Sequence, residues 1–209
     1  MPAMPTPASP TPHPSQQPLV LASTSRYRAE SLRRLQLTFN TAAPMVDEAH
    51  LTGEPPERRA ARLAKTKAQA LSDQFPNSIL IGSDQVASCR GEVFDKPGTM
   101  DKAVSTLKTL RGQSVDFHTA VCVYENQTGI CLEHTDLTCV QVRADLTDDA
   151  ITRYVQIDSP LDCAGAFKVE TLGISLFDAV RTDDPTALIG LPLIALAKAL
   201  RELGLDVPE

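Results

Sequence analysis

The chain has 209 residues, of which 42% are hydrophobic and 22% charged, enough to bury a sizeable core but too few for two large domains. Its formal net charge of -6 excludes broad electrostatic attraction to nucleic acid or to an anionic membrane surface. We therefore expect one domain with neither nucleic acid nor a membrane as its partner. Any anionic substrate must meet a local cluster of cations.

The amino-terminal segment, residues 1–18, is rich in proline and has neither a basic start nor an apolar run. This composition predicts a disordered tail, not a secretion signal, followed by a single folded domain at 19–209. The longest apolar stretch, Ala187 to Ala197, is interrupted by Gly190 and Pro192 and is too short to span a bilayer.

The cysteines and histidines indicate the redox state of the protein's compartment and whether a structural metal site is expected. The five cysteines are odd in number and form no Cys-x-x-Cys pair, which predicts reduced thiols in a cytoplasmic protein. The four histidines lack metal-ligand spacing, so we expect no structural zinc site.

Apolar spacing predicts the elements of the first half of the chain. In chain order they are a strand at 19–22, a helix over 26–35, a helix from Pro55-Pro56 to about Gln74, a strand at 78–81 and a hairpin turn at Arg90-Gly91. Gly82 and Ser83 directly follow the strand predicted at 78–81, so Asp84 is predicted to lie near a strand end.

The second half of the chain predicts further hairpins and helices. Its elements are a helix over 100–110, strands at 119–124 and 135–142 joined around Thr128-Gly129, a helix from Thr147 through Val155, short strands at 167–169 and 174–177, and a helix over 191–203. Strand-helix units mixed with hairpins predict an α/β fold with a mixed β-sheet and flanking helices.

A candidate anion site lies at the first strand-to-helix junction. Ser23, Thr24 and Ser25 are small residues where backbone N–H groups and the helix dipole converge, and Arg28 follows one turn into the helix. A guanidinium there can bind a phosphate through two parallel hydrogen bonds. The alternative is that Ser25 simply caps the helix.

Other candidate residues are weaker when each is considered alone. The adjacent carboxylates of Asp47 and Glu48 suit a divalent cation, or are merely solvated. Asp84 lies where open α/β sheets place their ligand crevices, or stabilises a turn. The basic candidates, each equally consistent with an ordinary surface or snorkelling side chain, are Lys67, Lys96 and Lys168.

Several short blocks occur together in one order along the chain. They are Leu21-Ala-Ser-Thr-Ser-Arg-Tyr-Arg28, Val46-Asp-Glu48, Lys67-Ala68, Gly82-Ser-Asp-Gln85, Lys96-Pro97, Ala164-Gly165 and Gly190-Leu-Pro-Leu193. In this combination the chain resembles the Maf-like nucleotide pyrophosphatases from roughly Leu19 to Gly204. One departure is Arg26, where many relatives have proline, which leaves the conformation of this loop less determined.

The resemblance implies a Maf/inosine triphosphatase-like fold with two lobes around a deep nucleotide cleft. It also implies a divalent metal cation, Mg²⁺ or Mn²⁺, and hydrolysis of the α–β phosphoanhydride of a nucleoside triphosphate. Asp84 matches the proposed catalytic base, and Glu48 and Asp84 are the candidate metal ligands. The candidate phosphate-binding residues are Ser23, Ser25, Arg28, Lys67, Lys96 and Lys168.

Three further positions concern the choice of base. Tyr27, Gln85 and Glu170 resemble the 7-methyl-GTP branch of the family, whereas the branch acting on UTP and dTTP resembles Arg, Thr and Gln there. The predicted reaction is therefore conversion of 7-methyl-GTP to 7-methyl-GMP and pyrophosphate. The alternatives are a dTTP/UTP pyrophosphatase and a non-catalytic nucleotide-binding regulator linked to cell division. A homodimer is compatible with either.

Overall fold

The computed structural model describes residues 17–207. Within this range the strands are β1 (Leu19–Ala22), β2 (Phe39–Ala42), β3 (Ile79–Cys89), β4 (Glu92–Phe94), β5 (Ser114–Glu125), β6 (Ile130–Val142) and β7 (Phe177–Arg181). The α-helices are α1 (Arg26–Arg33), α2 (Pro56–Gln69), α3 (Met100–Leu110), α4 (Asp148–Asp158) and α5 (Leu193–Glu202). Short 3-10 turns lie at Ala164–Ala166, Leu172–Leu176 and Ala187–Ile189.

The strands of the described range form one mixed sheet in the order β2-β1-β3-β5-β6-β7, with β4 paired to β3. β1 is parallel to both β2 and β3, whereas the pairs from β3 through β7 are antiparallel. The predicted α/β fold with a mixed sheet and flanking helices is therefore confirmed.

Two helical layers enclose the β1 end of the sheet, because successive strand residues point to opposite faces. On one face, Leu80 packs in a cluster with alanines of α2. On the other face, Ile79 and Ile81 pack with Leu32 of α1 and Leu196 of α5. Strands buried on both faces explain the continuous apolar runs in the sequence.

A second core lies at the other end of the sheet, along the carboxyl half of β3, the amino half of β5 and the carboxyl half of β6. There α3 and α4 pack against the sheet through Leu107 and Ile151, both about 1% exposed or less. Phe117 and Phe167 pack edge to face in the same core, with ring centroids 5.1 Å apart. The long strands thus run through two lobes, as the family resemblance implied.

Several element boundaries differ from the sequence-based prediction. β3 continues to Cys89, so Asp84 lies within a strand and not near its end, because the polar residues after Ile81 keep the ladder with β5. β2 was not predicted, the predicted strand at 167–169 is absent from the described residues, and 174–176 is a 3-10 turn. The hairpin turn is confirmed, with positive φ at Arg90 and Gly91.

The predicted tail boundary needs a small correction. Residues 1–16 lie outside the described residues, but Gln17 and Pro18 belong to the domain. Gln17 is buried and its Nε2 donates to Glu125 Oε1 at 2.9 Å, while the Pro18 carbonyl accepts from the Ile79 N–H at 3.0 Å. The domain therefore begins at least two residues before position 19.

All five cysteines are free thiols. None of the helices between residues 17 and 207 combines the length and the apolar character needed to cross a membrane.

Candidate active site

Three charged side chains meet in a cleft between the lobes. Lys67 Nζ lies 2.6 Å from Asp84 Oδ1 and 2.8 Å from Glu48 Oε1. The side chains of Lys67 and Asp84 are only 7% and 9% exposed, whereas that of Glu48 is 53% exposed. The structure thus brings both predicted metal ligands to one predicted phosphate-binding residue.

These three residues come from separate elements. Lys67 lies in the last turn of α2, and the alternation along β3 directs Asp84 to the same side of the sheet as Leu80, toward that helix. Glu48 lies in the loop before α2, where the neighbouring Asp47 uses its carboxylate to accept from the Ala49 N–H at 2.9 Å. Asp47 therefore shapes the loop, and Glu48 reaches the cluster.

The junction between β1 and α1 supplies a second wall of the site. Ser25 is the N-cap of α1 and accepts from the Arg28 N–H at 3.4 Å, so the capping alternative is correct for this hydroxyl. Ser23 is buried, and its Oγ accepts from the Ser25 N–H at 3.1 Å. Ser23, Ser25 and Arg28 line one pocket that adjoins the cluster, together with Lys67 and Glu48.

The carbonyl of Gly190 ties this wall to β3. It accepts from Arg28 Nε at 3.0 Å and from Ser83 Oγ at 2.9 Å. Gly190 has a φ of 113°, a conformation that favours glycine. The family block at Gly190 thus fixes Arg28 beside the phosphate-binding candidates.

The electrostatics favour an ionised carboxylate beside several cations. Burial opposes ionisation of Glu48, but the hydrogen bond and charge of Lys67, with the charges of Lys96 and Arg28, lower the pKa of this carboxyl below its ordinary value. Burial lowers the pKa of the Arg28 guanidinium, and the charges of Asp84 and Glu48 oppose that shift. Arg28 stays protonated, because an arginine titrates far above neutral pH.

The three base-choice candidates line the same cleft, whose volume is about 270 Å³. Gln85 Nε2 donates to Thr119 Oγ1 at 3.0 Å and to the carbonyls of Ala187 and Leu188 at 3.0 and 3.1 Å. This fixes the amide and leaves its oxygen as an acceptor. Tyr27 is half-buried and Glu170 exposed, so both are accessible to a ligand.

The two remaining lysines lie in different surroundings. Lys96 is exposed, follows β4 and lines both the cleft and the adjoining pocket. Lys168 is buried, and its Nζ donates to the carbonyls of Asp158 and Ser159 at 2.6 and 3.2 Å. Lys168 therefore satisfies the carboxyl end of α4, and the structure does not bring it to the phosphate-binding candidates.

Sequence reasoning missed three charged residues that line the cleft, Arg59, Asp95 and Asp162. Arg59 is buried although it resembles the exposed Arg58 beside it in sequence. The available signal was its spacing, since Arg59, Leu63 and Lys67 recur every four residues on one face of α2.

The donor set fits a divalent cation. Two carboxylates, those of Glu48 and Asp84, converge on a single ammonium group, which shows that their oxygens can share one cation. Mg²⁺ is commonly held by one or two carboxylates together with substrate phosphates and water. Within residues 17–207, no group of three or more His, Cys, Asp or Glu side chains is placed to hold a metal by itself.

As a whole, the cleft combines a carboxylate pair, several cations and an aromatic pocket. Cations around the pair can neutralise an oligophosphate, and a buried carboxylate can accept a proton from water. These are the groups that hydrolysis of a phosphoanhydride needs.

Comparison with known proteins agrees with this chemistry. A protein of Aromatoleum aromaticum named 7-methyl-GTP pyrophosphatase is 52% identical, and the match covers 91% of this chain and 97% of that protein. Proteins with the same name from Xanthomonas oryzae pv. oryzae and Cupriavidus pinatubonensis are 52% and 47% identical, covering 91% and 89% of this chain and 98% and 93% of theirs.

A more distant match is the structure of the Staphylococcus aureus Ham1 protein, with a TM-score of 0.44 and 14% identity over 61% of this chain and 73% of that one. A family model described as "Maf-like protein" matches residues 18–203, nearly all of the described range. The chain therefore belongs to the Maf-like protein family.

Proposed function

We propose that this protein is a nucleoside triphosphate pyrophosphatase that converts 7-methyl-GTP to 7-methyl-GMP and pyrophosphate. The observation that carries the proposal is the buried Asp84 carboxylate, 2.6 Å from Lys67 Nζ, in a cleft that also holds Glu48 and Arg28. The names of relatives about half identical to this chain over nine-tenths of its length support the substrate.

The chemical step assigns a proton and a leaving group to named residues. A water molecule attacks the α phosphorus, and the bond from that phosphorus to the α–β bridging oxygen breaks. Asp84 orients the water and takes its proton. Pyrophosphate leaves with the electron pair of the broken bond, and its charge is neutralised by Lys67, Lys96 and Arg28.

Glu48 and Asp84 would hold the divalent cation that this family resemblance implies, Mg²⁺ or Mn²⁺. When bound, such a cation polarises phosphoryl oxygens and neutralises charge on the transferring group. Lys67 keeps the two carboxylates within 2.8 Å of one point, so the pair is preorganised for a cation without mutual repulsion between the carboxylates.

Recognition of the base rests on Tyr27, Gln85 and Glu170. The Arg26 guanidinium lies 4.7 Å from the centroid of the Tyr27 ring and donates to its hydroxyl at 2.7 Å, so this ring accepts a cation. The ring of 7-methylguanine also carries positive charge, so stacking on the Tyr27 ring would be favourable. The Glu170 carboxylate can accept from the adjacent N1–H and amino N–H groups of guanine, whereas uracil and thymine present a single N–H flanked by two carbonyls.

The decisive experiment is a pyrophosphate-release assay on the purified protein with Mg²⁺ or Mn²⁺ and a panel of 7-methyl-GTP, GTP, UTP and dTTP. We expect release of pyrophosphate in a one-to-one ratio with the nucleoside monophosphate, most efficiently from 7-methyl-GTP. Higher kcat/KM on UTP and dTTP would instead assign the protein to the pyrimidine branch. Nucleotide binding without turnover in either metal would indicate a regulator. The cytoplasmic location and a homodimer stay predictions.

A further inference from the structure

Arg59 is a buried cation in the cleft wall with an unusual set of partners. Its side chain is 10% exposed, on the face of α2 that also carries Leu63 and Lys67. Its Nη1 donates to Asp95 Oδ1 at 3.3 Å and its Nη2 to the Glu48 carbonyl at 3.5 Å. One guanidinium thus contacts two loops that are far apart in sequence.

Both loops carry residues of the proposed active site. Asp95 directly precedes Lys96, and its second carboxylate oxygen lies 3.2 Å from His50 Nε2 in the loop that holds Glu48. The same face of α2 therefore holds Glu48 twice, by its carboxylate through Lys67 and by its carbonyl through Arg59. Asp95 extends this connection to the residue beside Lys96.

Arg59 is poorly suited to a purely stabilising role. Its Nε is buried and has no hydrogen-bond partner among residues 17–207, and both contacts of its terminal nitrogens are long. Burying a guanidinium with incomplete partners is costly, and replacing such a group by an apolar side chain of similar volume is often neutral or stabilising. A methionine at this position would remove the burial cost while it filled the same space.

We propose that Arg59 is a positioning residue, which holds the Glu48 loop and the Asp95-Lys96 segment in register across the cleft. The inference rests on the proposed pyrophosphatase function of the same site. Arg59 acts through Asp95 and the Glu48 backbone, so it needs both its charge and its planar, two-pronged geometry.

The test compares Arg59→Met and Asp95→Ala with the control Arg58→Met, which removes an exposed arginine from the neighbouring position on α2. We expect kcat/KM of Arg59→Met to fall about tenfold, since small misplacements of catalytic groups carry losses of that order or more. Its melting temperature should equal or exceed that of the native protein. The control should match the native protein in both measurements.

Asp95→Ala separates positioning from direct contact with the substrate. If Arg59 acts through Asp95, this variant loses activity as well, and the double variant is no worse than the poorer single one. Normal activity of Asp95→Ala beside an impaired Arg59→Met would show that Arg59 does not act through the Asp95-Lys96 segment, and would overturn the proposal. So would native activity of Arg59→Met, or a loss of activity that only accompanies a lower melting temperature.

Binding of inorganic pyrophosphate, measured by calorimetry, needs no turnover. We expect Arg59→Met to bind it about tenfold more weakly and Arg58→Met to bind it normally, because Lys96 is no longer held at the cleft. Equal binding by both variants would overturn the proposal for Arg59 even if no nucleotide is hydrolysed. Absence of hydrolysis by the native protein would count against the proposed function alone.

Discussion

Lys67 determines the charge balance of the candidate site. It is buried on α2 with one carboxylate partner that is buried, Asp84, and one that is half exposed, Glu48. A buried ion pair contributes little net stability, but removal of one partner leaves an uncompensated charge. Because Glu48 also pairs with Lys67, replacing Asp84 does not leave the ammonium group alone.

This arrangement makes Asp84→Asn an informative variant. The amide keeps the shape of the side chain and can still accept from Lys67, but it cannot take a proton from water. We expect kcat to fall by a factor of about 10² or more, since general bases typically contribute 10²- to 10⁴-fold. Pyrophosphate release gives kcat, and a thermal melt close to that of the native protein serves as the control. Near-native kcat would remove Asp84 from the role of base.

At the residue scale, the sequence predicts which residues belong to the candidate site better than it predicts which atoms they contact. Asp84, Glu48 and Lys67 could be predicted as candidates because their blocks occur together in one order, and the structure places an oxygen of each carboxylate within 2.8 Å of Lys67 Nζ. The role of Lys168 could not be predicted, since its partners are backbone carbonyls ten and nine residues away in the chain. Only tertiary structure decides which lysines meet the cleft.

Among the elements, α2 and β3 define the site because they approach each other unusually closely at Gly82. A Cβ atom added at Gly82 would lie 2.1 Å from the Ala64 carbonyl oxygen and 2.6 Å from the Ala68 nitrogen. Both are backbone atoms of α2 and cannot move without the helix. The glycine two residues before Asp84 therefore sets the distance between Lys67 and that carboxylate.

Gly82→Ala should consequently shift α2 away from β3. We expect a loss of stability of about 1–3 kcal/mol, the usual cost of overpacking, together with reduced kcat because Lys67 moves with its helix. Gly129→Ala is no suitable control, since its positive φ adds strain. Ala87→Gly is a better control, because it is the reverse exchange at a buried position of the same strand and shows what such an exchange costs in stability. Native activity and stability in Gly82→Ala would contradict the close approach.

The amino-terminal boundary gives a second prediction at this scale. Removing residues 2–16 should leave the melting temperature nearly unchanged, because a proline-rich segment without an apolar run contributes little to a core. Removing residues 2–18 should lower it, since the buried Glu125 carboxylate then loses its bond from Gln17 and Ile79 loses its bond to Pro18. Thermal melts of the two truncations decide this, and equal values would show that Gln17 does not stabilise the domain.

Elements with a clear apolar pattern were predictable, and edge elements were not. The sequence identifies β1 and the start of β3 because both are buried on two faces. β2 and β7 are edge strands whose residues are half-buried or exposed, so their sequences carry little alternation. Their pairing to β1 and β6 comes from the sheet and not from local preference.

For the whole molecule, the candidate residues are partly divided between the two lobes. The lobe built on β1, α1 and α2 carries Ser23, Ser25, Arg28 and Lys67 together with Tyr27, whereas Phe117, Phe167 and Glu170 of the other side line the remaining wall. Gln85 of β3 lies between them in the same cleft. We therefore expect a substitution at Glu170 to alter recognition of the base without disturbing the phosphate-binding candidates.

A substitution at Glu170 therefore tests the choice of base without changing the residues assigned to the hydrolytic step. The Glu170 carboxylate can accept from the N–H edge of 7-methylguanine and attract the charge on its ring, whereas a pyrimidine carbonyl placed opposite it would leave two acceptors without a proton between them. Glu170→Gln removes the charge and replaces one acceptor by a donor. Because Glu170 is exposed, the substitution should leave the melting temperature unchanged.

We expect kcat/KM for 7-methyl-GTP to fall in Glu170→Gln by about tenfold, the equivalent of one charge-assisted hydrogen bond, while the values for UTP and dTTP stay equal or rise. The measurement is the ratio of kcat/KM for each nucleotide in the native protein and in the variant, with kcat at saturating 7-methyl-GTP as the control for intact chemistry. A preference that persists unchanged in the variant would leave recognition to Tyr27 and Gln85. Equal efficiency on pyrimidine and methylated purine nucleotides in the native protein would reject 7-methyl-GTP as the preferred substrate, even though Asp84 would still serve as the base.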